Sequence, residues 1–197
     1  MNDSLDTTVP TPPFSPLDRW AEVRVAGRVT RYARRGSGAP IIVLQAPDAA
    51  ADHARALWPA LADALAAGGR VLLPEVPAPD ARPDPVERPI PADIPGFLEW
   101  IRGFLDGLGL PPATVIAAEP YCLPALELAL LEPERLAGLV LVPERGAAET
   151  GLTGGLTTTT AAGEAVRLLV VRRDCPAAEA VPLVARFVAG PCPPPEG

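Results

Sequence analysis

The residues best able to do chemistry sit in one stretch, ATVIAAEPYCLPALELALL, from Ala113 to Leu131. Thr114 to Ala117 is a short β-branched, apolar run and reads as a buried strand. Leu123 to Leu131 is rich in Leu and Ala and reads as a helix. Between them the chain must turn sharply, with Glu119 at the tip. A carboxylate held there, partly desolvated and near a helix N-terminus, can act as a general acid or base. It can equally cap the following helix, where negative charge is favoured. Tyr121 brings a phenol two residues on, able to orient a substrate. The single histidine, His53, falls at the start of another predicted helix. It reads either as an exposed helix-start residue or as a proton shuttle at a pocket rim. Cys122, Cys175 and Cys192 are too few and too widely spaced for a disulfide framework or a zinc pattern, and read as free thiols. No Gly-rich phosphate loop follows any strand. No metal and no cofactor is expected.

The other predicted elements must position that turn. Glu22 to Ala26 and Val29 to Ala33 alternate apolar and polar residues around Gly27-Arg28, a hairpin signal. Ile41 to Leu44 is a continuous apolar run, as a central parallel strand requires. Asp52 to Ala67 is amphipathic, with Leu57, Leu61 and Leu65 on one stripe beside Trp58, and Gly68-Gly69 as its stop. Val71 to Leu73 is the next strand. The segment from Pro74 to Pro95 is dense in proline and reads as an extended loop. A helix from Asp93 or Ile94 to Gly107 buries Phe97, Ile101, Phe104 and Leu105 or Leu108, with Trp100 joining them. Strands over Ala137 to Val142 and Val166 to Val171 enclose a Gly/Thr-rich stretch, residues 146 to 164, that reads as a flexible loop. Ala177 to Ala189 closes the chain as a helix, with Val181, Val184, Phe187 and Val188 facing in. Residues 1–18 read as a loose arm, 19–190 as one α/β domain and 191–197 as a frayed tail.

This pattern resembles the α/β-hydrolase family. There a strand leads into a G-x-S-x-G nucleophile elbow, then a helix, then a segment like PERLAGLVLV, which stands here at Pro133 to Val142. The opening hairpin and its turn, Arg34-Arg35-Gly36-Ser37-Gly38-Ala39-Pro40, are also similar to the family's. Arg34 and Arg35 read as solvated turn charges rather than an anion site. The resemblance implies a three-layer sandwich around a mostly parallel sheet, with an N-terminal antiparallel hairpin. Residues 146–164 leave no room for the family's usual cap domain.

The five elbow positions read Ala117-Ala118-Glu119-Pro120-Tyr121. The resemblance puts Glu119 at the nucleophile. Pro120 stands at the residue whose amide should help hold the oxyanion, and it has no N–H. Tyr121 replaces the second glycine. The family's "HG" pair, source of the other oxyanion amide, is here Gln45-Ala46. Glu144 stands where some relatives carry the triad acid. The gap expected to hold the catalytic histidine is Arg172 to Pro176, with no histidine; its Asp174 belongs either to that loop or to the acid loop of longer relatives, in which case the chain lacks a strand and a helix. The triad order is nucleophile, acid, histidine, and His53 precedes all three positions.

Two classes of function follow. One is a non-hydrolytic pseudo-hydrolase that binds a small molecule or a protein partner. The other is an enzyme of elimination, isomerisation or cyclisation using Glu119 as acid or base, with Gln45 and Tyr121 orienting the substrate. The chain has 197 residues and a net charge of −7, which points away from nucleic acid and anionic membranes. The N-terminal stretch lacks the apolar core of a signal peptide, so the cytoplasm is expected. A sheet edge left by a shortened fold could pair with a second copy as a homodimer.

Overall fold

A computed structural model of the chain describes residues 19–25, 27–45, 52–76, 94–143, 154–159, 165–172 and 175–190. The arm (1–18), the tail (191–197) and most of the proline-dense loop lie outside the described residues.

Every buried apolar run identified in the sequence forms a strand. In chain order these are β1 (Arg19–Val25), β2 (Arg28–Gly36), β3 (Ala39–Leu44), β4 (Gly69–Pro74), β5 (Ala113–Ala118) and β6 (Leu136–Val142). Two more follow, β7 (Gly154–Thr159) and β8 (Ala165–Val170). All join one sheet in the order β1-β2-β4-β3-β5-β6-β8-β7. β4, β3, β5, β6 and β8 run parallel, while β1–β2, β2–β4 and β7–β8 pair antiparallel.

The helices cover both faces. α1 (Asp52–Ala66) and α4 (Ala177–Ala189) pack on one, α2 (Ile94–Gly107) and α3 (Cys122–Leu131) on the other. Side chains alternate between faces along a strand. Ile41 and Val43 of β3 therefore meet Leu57, Trp58, Leu61 and Leu65 of α1, while Ile42 and Leu44 join the core under α2. Two covered faces are why the parallel strands read as unbroken apolar runs.

A file of rings runs through the α2 core. Tyr121 stacks on Phe97, with centroids 5.7 Å apart. Phe97 meets Trp100, Trp100 stacks on Phe104, and Phe104 meets Tyr32 of β2 edge-on. The Trp100 indole N–H donates to Thr30 Oγ1 at 3.2 Å, so this buried polar pair satisfies itself. At the far end of α3, Glu132 accepts from Arg102 of α2 and pairs with Arg135 at 2.5 Å. Arg135 also donates to Asp106 at 2.7 Å, tying α2 to the turn that opens β6.

The structure corrects two expectations. Within the stretch 146–164 read as a flexible loop, residues 154–159 form strand β7, laddered residue for residue onto β8. An antiparallel edge strand is held by its backbone ladder, and β-branched threonines suit it without an apolar period. Arg34 and Arg35 are not turn residues either. β2 continues to Gly36 because β4 supplies it with partners, and Arg35 is half-buried and paired with Asp63 of α1.

Gly36 shows what this end of the sheet demands. Its φ is +73°, and a Cβ there would lie 2.3 Å from the Gly69 carbonyl and 2.5 Å from that of Ala66. Gly27, in the first hairpin, has φ +83° with open space around it. Gly27→Ala should therefore cost only backbone strain, about 1–2 kcal/mol. Gly36→Ala must also displace two backbone segments and should cost at least ~3 kcal/mol, roughly 6–12 °C in Tm for a chain of this size. Thermal denaturation of the two variants measures the difference; equal losses would contradict the close approach.

Candidate functional site

The carboxyl ends of the parallel strands are where open α/β sheets bind ligands. Leu44 pairs with Ala117 and Ala118 pairs with Val142. The residues that follow, Gln45 after β3, Glu119 after β5 and Pro143 after β6, therefore emerge side by side. Arg172 lies just beyond β8, next in line.

The turn at residues 118–121 is built by its backbone. The Tyr121 amide donates to the Ala118 carbonyl at 2.7 Å, and the Tyr121 carbonyl accepts from Ala125 at 3.0 Å, opening α3. The Glu119–Pro120 peptide is cis. The Cys122 thiol, buried in the first turn of α3, donates to the Ala117 carbonyl at 3.3 Å. Of the two amides that follow Glu119, Pro120 has none and that of Tyr121 is already spent within the turn. An oxyanion over Glu119 finds no donor in either.

Glu119 is partly exposed and Pro120 exposed at the carboxyl end of β5. Tyr121, not Glu119, occupies the N-cap of α3, and it makes no side-chain cap. Among the described residues the Glu119 carboxylate has no hydrogen bond or ion pair, so the capping role is not realised. Tyr121 differs from expectation. It is only 5% exposed and its ring belongs to the α2 core rather than to a pocket wall. Burial raises its phenol pKa above the usual value near 10. The cause is the spacing of α2, which sets Phe97 directly beneath the turn.

Gln45 is half-buried beside the turn. His53 lies in the first turn of α1, and its side chain, like Ala46, Glu144 and Asp174, falls outside the described residues. Glu75, at the family's Asp position after β4, is a surface residue 3.8 Å from Arg31. The described residues thus bring together Gln45, Glu119 and Pro120. That set can polarise a neutral ligand or exchange a proton with it, and it contains no hydroxyl or thiol nucleophile.

A second feature was not foreseen. At the opposite end of the sheet a cleft of about 500 Å³ is lined by Arg19, Arg34, Arg35 and Arg70 with the Gly36–Gly38 turn. These arginines lie far apart in sequence, and only the strand order β1-β2-β4 brings them together. The one sequence signal was Arg34-Arg35 beside a Gly-Ser-Gly turn.

No protein-family model matches the chain, and no curated protein matches it in sequence. Solved structures do. A serine hydrolase involved in carbazole degradation, CarC, superposes with a TM-score of 0.53 at 20% identity, covering 67% of this chain and 50% of its own. The haloalkane dehalogenase DatA from Agrobacterium tumefaciens C58 gives 0.51 at 20% identity, covering 66% and 43%. The epoxide hydrolase VrEH1 from Vigna radiata gives 0.51 at 20%, covering 64% and 38%. The chain spans half or less of the length of each. At such identities the likeness speaks for architecture alone, and with the mixed sheet, the opening hairpin and the strand–turn–helix at Glu119 it shows that this chain has the α/β-hydrolase fold.

Proposed function

We propose that this chain is a non-hydrolytic relative of the α/β-hydrolase-fold enzymes that binds a small molecule or a protein partner at the carboxyl edge of its sheet. The observation that carries this reading is the turn itself. Its tip is a carboxylate, its next residue lacks an amide, and the following amide is bonded to Ala118. Removal of one oxyanion donor typically costs about 10²–10³ in kcat, and here the serine is replaced as well. A protein partner is favoured by α3, which leaves Leu123 61%, Leu130 48% and Leu131 57% exposed on the helix that follows the turn.

The second reading, acid–base catalysis by Glu119, is favoured by a different observation. The carboxylate stands at the carboxyl edge of the sheet without a partner among the described residues, near the half-buried Gln45.

Two measurements test these readings. With a chromogenic ester, the purified chain should release no more product than a buffer blank, and Glu119→Gln should melt within about 1 °C of the parent, as expected for a substitution worth under ~0.5 kcal/mol. Ester turnover above the blank that Glu119→Gln abolishes would refute the non-hydrolytic reading. The second concerns Tyr121, which has no role as a proton carrier near neutrality. The buried phenol favours its neutral form, so the folded state holds its proton to higher pH than the unfolded state. Tyr121 thus adds stability that is complete below the ordinary phenol pKa, about 10, and is lost as pH rises through the raised folded value. Titration followed by phenolate absorbance should show Tyr121 ionising above the ordinary range, and Tyr121→Phe should remove that step. An ionisation at or below the ordinary value would contradict the buried placement.

A further inference from the structure

The arginine cleft lies at the end of the sheet opposite Glu119. The β1–β2 register places Arg19 directly across from Arg34. The β2–β4 register places Arg34 across from Leu72, and Gly36 across from Arg70. Positions two apart on a strand share a face, so Arg19, Arg34 and Arg70 project from the same face of three adjacent strands. Arg35 alternates to the other face, where Asp63 pairs with it. Gly36 pairs with Arg70 across the β2–β4 ladder, and the Gly36–Gly38 turn forms one wall of the cleft.

This arrangement is unfavourable on its own. Like charges directly opposite each other on neighbouring strands repel. Among the described residues, Arg19, Arg34 and Arg70 have no carboxylate partner. The Arg70 Nε is also buried with no hydrogen-bond acceptor, an orphan donor of the kind folded proteins avoid. The clustering occurs in a chain that is otherwise acidic, with a net charge of −7. A tetrahedral oxyanion in the cleft would offset the repulsion among these guanidinium groups. Guanidinium groups match phosphate oxygens in planar, two-pronged geometry, and Ser37 adds a hydroxyl at the rim. A space of about 500 Å³ exceeds what one inorganic ion fills and lies within the size of small-ligand sites, roughly 300–1,000 Å³.

We propose that this cleft is a binding site for a phosphate group carried by a small molecule, held by Arg19, Arg34 and Arg70. The proposal stands apart from the reading of the Glu119 turn, and either can fail alone.

Calorimetric titration of the full chain at low ionic strength tests it, with inorganic phosphate, pyrophosphate, ribose 5-phosphate and ribose as probes. One saturable site for pyrophosphate is expected, weakening as salt is added. Arg34→Gln should weaken it at least tenfold and Arg19→Gln/Arg34→Gln should abolish it, while Arg31→Gln, outside the cleft, should bind as the parent does. Tighter binding of ribose 5-phosphate than of inorganic phosphate, with none of ribose, identifies a phosphate ester as the source; the reverse order identifies the free ion. Without any anion present, Arg34→Gln should melt no lower than the parent, since it removes a repulsion. Absence of saturable binding, or binding unchanged by the double substitution, would overturn the proposal. So would a lower melting temperature of Arg34→Gln without anion, because it would mean that the chain itself already supplies the counter-charge.

Discussion

The ring of Tyr121, stacked on Phe97 beneath the β5–α3 turn, is the contact on which the rest of the site depends. It is the first link of a file of aromatic side chains that ends at Tyr32 on β2, so the turn is anchored through α2 to the antiparallel end of the sheet. Aromatic pairs of this geometry contribute about 0.5–1.5 kcal/mol each beyond their area burial. A glycine at 121 would leave the file without its end ring and the turn without its anchor. In the same residue the backbone amide donates to Ala118, and the chain enters α3 without a side-chain cap. Tyr121 is also the most buried residue of the turn, 5% exposed.

The two ends of the sheet therefore differ in electrostatic character. The carboxyl edge presents Glu119 and Gln45 on adjacent strand ends, an acid without a countercharge among the described residues. The other edge gathers cations around a glycine turn whose backbone approaches Gly69 and Ala66 too closely for any side chain. The fold itself is held by two apolar layers and the paired strands.

Much of this was legible from the residues. The strands of the parallel core announce themselves as apolar runs because both faces are covered. The bounds of α4, Ala177–Ala189, follow from its apolar stripe, and those of α2 from the Ile94-Pro95 start and the glycine at 107. β7 was hidden because Gly and Thr side chains carry no apolar period, while the backbone ladder that defines it leaves no trace in composition. Tyr121 was read as a pocket residue because the resemblance fixes where the turn points in the fold, not which way one side chain leaves it. Of the arginine cleft only the Arg34-Arg35 pair was visible, since the convergence of Arg19 and Arg70 on it depends on β4 inserting between β2 and β3. Charge convergence across non-consecutive strands is a property of topology, invisible to spacing along the chain.

The central claim is that the turn amide at Tyr121 is committed to the fold and unavailable to a ligand or an oxyanion. Amide hydrogen exchange read at residue 121 tests it most directly. The account predicts protection comparable to that of the β5 amides, because Tyr121 N–H is bonded to Ala118 and covered by the aromatic file. Exchange at the rate of an open, solvated amide would mean that the donor is free, and that the turn has kept the capacity this account denies it.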